Sequence, residues 1–140
     1  MTLAAETDKL ANAKASGQAS FDSIREMVDA YQDATNAGQE DLFEAAERAI
    51  HEDALSVEVR SGWYMPGDQN ADTKPAEYRI LLSTGGPAVQ IVGELNEHGE
   101  PESAVMQVQD WFIPWTDFVP QHEEPGRVML TYARCFYFGG

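Results

Sequence analysis

The spacing of apolar positions changes character once along this chain, just after His51. Upstream, "FDSIREMVDAYQDATNAG" places Ile24, Met27, Val28 and Tyr31 at helical intervals. Asp22 or Ser23 is available as an N-cap, and "NAG" at 36–38 is a stop signal. "QEDLFEAAERAIHED" follows with Leu42, Ala45, Ala46, Ala49 and Ile50 on one side, which predicts a second amphipathic helix. The short link makes the two an antiparallel hairpin. Residues 1–19 are rich in Ala, Ser, Thr and Lys without an apolar stripe, and predict a weakly structured segment: a frayed helix over Leu3–Lys14, broken at Gly17.

Downstream the period becomes 2. "ALSVEVR" sets Leu55, Val57 and Val59 against Ser56, Glu58 and Arg60. "EYRILLST" sets Tyr78, Ile80 and Leu82 against Glu77, Arg79 and Leu81. "AVQIVGEL" sets Val89, Ile91 and Leu95 against Gln90, Val92 and Glu94. "SAVMQVQD" sets Ala104, Met106 and Val108 against Val105, Gln107 and Gln109. Four half-buried strands with short links predict an antiparallel meander. "TGGP" and "NEHGEP" close two of its hairpins, and the longer "GWYMPGDQNADTKP" forms a polar loop. "EEPGRVMLTYARCFYFGG" puts Val128, Tyr132, Cys135 and Phe136 on one helical stripe.

The expected fold class is therefore α+β: an N-terminal helical hairpin, a four-stranded antiparallel meander, and a C-terminal helix on the same sheet face, in one domain over residues 20–140. The helices are what can cover the apolar sheet face. The opposite face carries Glu58, Arg60, Arg79, Gln90, Glu94, Gln107 and Gln109 among Leu81, Val92 and Val105. That composition suits solvent or a partner.

"QDWFIPWTDF" at 109–118 concentrates two Trp and two Phe in a chain otherwise sparing with aromatics. Continuing the alternation sends Phe112 inward and Trp111 outward, beside Gln107 and Gln109. Pro114 breaks the pairing. Phe112, Trp115 and Phe118 are then expected to cap the core from a turn-rich connector. Trp111 is expected to anchor an interface.

Composition adds one unusual feature. The 140 residues, 43% hydrophobic, suffice for one buried core. Twenty-four acids against nine bases give a net charge of −15, which repels nucleic acid and anionic membranes and attracts basic protein surfaces. The acids are ordered. Asp22, Glu26, Asp29 and Asp33 recur at i, i+4, i+7, i+11, and Glu40, Glu44 and Glu47 at i, i+4, i+7. Successive carboxylates then lie about 4.5–6 Å apart along a helix axis. Such a row resembles a phosphate backbone electrostatically and can occupy a basic nucleic-acid groove. A solvated helix face is the plainer reading of either row, and solubility or a saline habitat the plainer reading of the charge.

No reaction is legible. The glycines of "STGGPA" feed a strand and have no lysine beside them, unlike a phosphate loop. His51, His98 and His122 lack metal-ligand spacing. Cys135 lies on the inward stripe without a basic neighbourhood, and no nucleophile elbow occurs. No enzyme activity, cofactor or metal is expected. The single cysteine suits a reducing compartment. With no apolar run long enough to span a bilayer and no signal-like start, a cytoplasmic protein is expected.

"ALSVEVRSGWYMPG", "EYRILLSTGGPAVQIVGEL", "PESA" with "QDWFIPWTDF", and the ending "LTYARCFYFGG" resemble a family of small acidic proteins of bacteriophages, prophages and mobile elements. The resemblance covers residues 50–140. That family has no assigned biochemistry, so no residue role carries over. What the resemblance implies is context: an accessory protein inside a bacterial cell, where small acidic proteins inhibit host nucleases of restriction or CRISPR defence. Two functions are expected from these readings. One is a non-catalytic binder that occupies a basic host surface through Asp22, Glu26, Asp29, Asp33, Glu40, Glu44 and Glu47. The other is an assembly accessory that oligomerises through the sheet face of Trp111, Gln107, Gln109, Arg79 and Gln90.

Overall fold

The computed structural model describes residues 2–110 and 113–139, with side chains from Leu10 onward. Helix α1 spans Thr2–Ala37 and α2 Glu40–Asp53. Strands follow at Ser56–Ser61 (β1), Pro75–Ser83 (β2), Ala88–Glu94 (β3), Val105–Gln109 (β4) and Thr116–Phe118 (β5), and α3 spans Pro125–Ala133. The strands form one open antiparallel sheet in the order β1-β2-β3-β4-β5. This is an α+β fold with one strand more than the periodicity predicts.

The N-terminal expectation requires the larger correction. α1 runs through Gly17 without a break, so residues 2–19 are helical, and Asp22 and Ser23 lie inside the helix instead of capping one. Asp22 accepts a hydrogen bond from Gln18 Nε2, one turn earlier, at 3.0 Å. Gly17 serves proximity. A Cβ there would stand 2.7 Å from Val108 Cγ1 and 2.9 Å from Phe118 Cδ2. The absent side chain lets the α1 backbone lie directly on β4 and β5, which outweighs the roughly 1 kcal/mol that glycine loses to alanine in a helix. Ala13, Gly17, Phe21, Ile24 and Val28 are all buried and form one continuous helical face. The helix stops where "NAG" predicts: Gly38 takes φ +67°, and Gly38 and Gln39 donate their backbone N–H groups to Thr35 and Ala34.

The sheet register follows the alternation. Val57, Ile80, Ile91, Met106 and Phe118 stand opposite one another across all five strands, on the inner face. Ile80, Ile91 and Met106 are fully buried with Phe21, Ile24 and Val28 of α1, Ile50 of α2, and Met129 and Tyr132 of α3. Coverage is uneven, because α1 and α3 pack over β3 and β4. At the β1 edge Leu55, Val57 and Val59 keep 58%, 37% and 43% of their surface exposed. Val57 and Val59 share the inner face with Ile80 and Tyr78, but none of the three is buried under the helices as predicted.

α3 ends earlier than its stripe suggests. Met129, Tyr132 and Ala133 are its buried residues, while Cys135 and Phe136 follow in tight turns, their N–H groups bonded to Tyr132 and Ala133 carbonyls. The chain then turns Phe138 in against Tyr78, ring centroids 5.0 Å apart. Tyr78 lies across Gly93 and donates to the Ser103 carbonyl at 2.6 Å. Burial raises its pKa.

Candidate functional site: the acidic helices and the outer sheet face

The α1 row is built by helical spacing alone. Glu26, Asp29 and Asp33 are exposed and Asp22 half-buried, on the side of α1 away from Phe21, Ile24 and Val28. On α2, Glu40 and Glu44 are exposed and Glu47 is half-buried, leaning toward Tyr31 and Cys135, whose ionisation its charge opposes. Arg25 and Arg48 are the only bases between residues 15 and 53. The arginine ion pairs among the described residues are Arg60–Glu77, Arg79–Glu58 and Arg127–Glu124, and His98 lies 3.6 Å from Glu97. None involves the seven carboxylates. Of the arginines that pair, Arg60 and Arg79 do so on the sheet and Arg127 at the start of α3, and the seven carboxylates of the helical hairpin are left without one.

The outer sheet face is also assembled as the alternation predicts. Arg79 stands opposite Glu58 and Val92, and Gln90 opposite Leu81 and Gln107. These side chains satisfy each other. Gln90, only 3% exposed, donates to Gln107 Oε1 at 2.7 Å, and Gln107 donates to Asp117 at 2.9 Å. Arg79 reaches Glu58 at 2.8 Å. A shallow concavity of about 550 Å³ lies over Arg79, Gln90, Val92, Val105 and Gln107.

The aromatic segment departs from expectation. Trp111 and Phe112 lie outside the described residues. Residues 116–118, expected in a connector, form β5 on the edge of β4, with Thr116 opposite Val108 and Phe118 opposite Met106. That parity sends Trp115 to the outer face. It lines a second depression of about 320 Å³ with Leu81, Ala88, Gln90 and Gln109, and is not the core cap predicted for it. Phe118 does face inward, against Gly17. Nothing in the sequence marked this, because the chain reverses between β4 and β5 and the alternation of β4 does not carry across the turn.

At the base of the helices, His51 donates from Nε2 to the Cys135 carbonyl at 2.6 Å, and Tyr132 donates to Asp53 Oδ2 at 2.8 Å. Burial, with the Asp53 bond, holds the Tyr132 phenol protonated well above its usual range. Burial, helped by the Glu47 charge, pushes the Cys135 thiol up to about 11. These groups tie α2 to the end of α3. The described residues contain no group of three or more His, Cys, Asp and Glu that could hold a metal ion, and no described helix is long and apolar enough to cross a membrane.

Fold and surface together define an α+β protein with a helix-covered antiparallel meander and an acidic helical back. Comparison with family models, curated proteins and solved structures finds no match to the chain.

Proposed function

We propose that this chain is a non-catalytic binding protein whose acidic helices occupy a basic surface on another protein. One observation carries this reading: seven carboxylates stand in two ordered rows on rigid helices, none in an ion pair, while bases of the same chain pair elsewhere. Asp22 to Asp33 spans about 16 Å of helix axis. Like charges held this way repel one another by a few tenths of a kcal/mol per pair, a cost that a cationic groove would reverse. The partner class of this proposal is a nucleic-acid-binding host protein, such as a defence nuclease, whose basic groove a row of carboxylates would meet as a phosphate backbone does. The self-satisfied outer face offers Trp115 and Leu81 to the alternative reading, an assembly interface, and less than its charged residues suggested.

The test is capture of nucleic-acid-binding proteins from a bacterial lysate at low salt, with competition by duplex DNA. A variant carrying Asp22→Asn, Glu26→Gln, Asp29→Asn and Asp33→Asn should fold normally and lose most of the capture. DNA and added salt should each release what the unmodified chain holds. Capture that survives both the quadruple variant and salt would sink this reading.

A further inference from the structure

Strand β1 is an edge of the sheet and keeps apolar side chains open, with Val57 37% and Val59 43% exposed. Glu58 and Arg60 flank Val59 on that strand, with Val57 before them. In antiparallel pairing, opposite residues share a sheet face. If a second β1 is laid antiparallel along the free edge with Val59 opposite Val59, Glu58 of each copy meets Arg60 of the other, twice. The outer face then continues an existing alternation. Arg79 already pairs with Glu58, and Arg60 with Glu77, so the row would read Arg79, Glu58, then Arg60 and Glu77 of the second copy. Sliding the copies by two residues either way sets Glu58 against Glu58, or Arg60 against Arg60. Slides of one residue would oppose inner and outer faces.

The inner face supports the same register. Val59, 43% exposed on the inner face, then meets Val59 across the dyad, and Val57 of one copy lies level with Ser61 of the other. An open apolar edge strand of this kind is a template for another strand, and its charges pair with those of a second β1 in one alignment. We infer that the chain forms a homodimer by antiparallel pairing of β1 with β1, centred on Val59, joining two five-stranded sheets into one. This inference is independent of the role proposed for the acidic rows.

Sedimentation of the full chain in about 0.15 M salt, which screens the −15 net charge beyond ~8 Å, should show a monomer–dimer equilibrium below about 1 mM. Val59→Lys places like charges across the dyad and should weaken dimerisation by about 100-fold or more. Its thermal melt should stay near the wild-type value, because Val59 is 43% exposed. Val59→Cys should form a disulfide-linked dimer on mild oxidation at least about ten-fold faster than Val57→Cys, whose two thiols would be some 13 Å apart along the strands. The unmodified chain, with Cys135 as its only thiol, is the control. A strictly monomeric chain, a folded Val59→Lys variant that still dimerises, or equal cross-linking at 57 and 59 would each overturn the inference.

Discussion

Gly17 shows how one residue's meaning depends on what lies across from it. In an Ala- and Ser-rich stretch a glycine signals a helix break, since alanine is favoured there by roughly 1 kcal/mol. Its position against Val108 and Phe118 reverses that reading. The two effects have opposite signs, so one substitution decides between them. Gly17→Ala should destabilise the fold by about 1–3 kcal/mol net, because Val108 is fully buried and its branched side chain has nowhere to turn. Chemical denaturation measures this directly. A more stable Gly17→Ala variant would mean that propensity governs and the close approach is not needed.

Among the elements, β5 matters most for the surface. Three residues long and preceded by Pro114, it gives too short an alternation to stand out in sequence. Its pairing with β4 nevertheless moves Trp115 from the expected core to the outer face. Trp115 is mostly covered although it stands on the outer face. Covering two thirds or more of the ~150–250 Å² of a large aromatic, at ~25 cal/mol per Å², corresponds to about 2.5–5 kcal/mol. Trp115→Ala should therefore lower stability by about 2–4 kcal/mol, a cost close to that of a core aromatic. Urea denaturation of the single variant measures it. A loss below about 1 kcal/mol would show that the ring is not held against Leu81, Ala88 and Gln90.

For the whole molecule, the titratable groups that burial affects all favour their neutral forms. Cys135 is pushed up to about 11, and the Tyr31, Tyr78 and Tyr132 phenols also rise. In each case the folded state holds its proton more tightly than the unfolded chain does. Their contribution to stability is therefore complete below the unfolded pKa values, and is lost as pH rises through the folded ones. Denaturation midpoints should fall from about pH 9 upward. A midpoint unchanged through the alkaline range would show that these groups are not buried as described. Self-repulsion among 24 acids acts alongside. Raising salt from low values to about 0.15 M should increase the melting temperature, and the quadruple amide variant, at −11 instead of −15, should show a smaller increase.

The change of period after His51, the inward set of Ile80, Ile91 and Met106, the helix stop at Gly38 and the two acidic rows were all readable from the chain. Each is a consequence of local backbone geometry, 3.6 residues per turn or 2 per pleat, acting on side chains close in sequence. The rest required distant parts of the chain. The sequence alone could not show that Ala13 and Gly17 continue the face of Phe21, because small residues carry a contact signal only once their neighbour is known. The burial of Val57 and Val59 depended on where the helices cross the sheet, and the face of Trp115 on whether a three-residue strand pairs. Tertiary structure decided these because burial belongs to a pair of surfaces, and a sequence pattern describes only one of them.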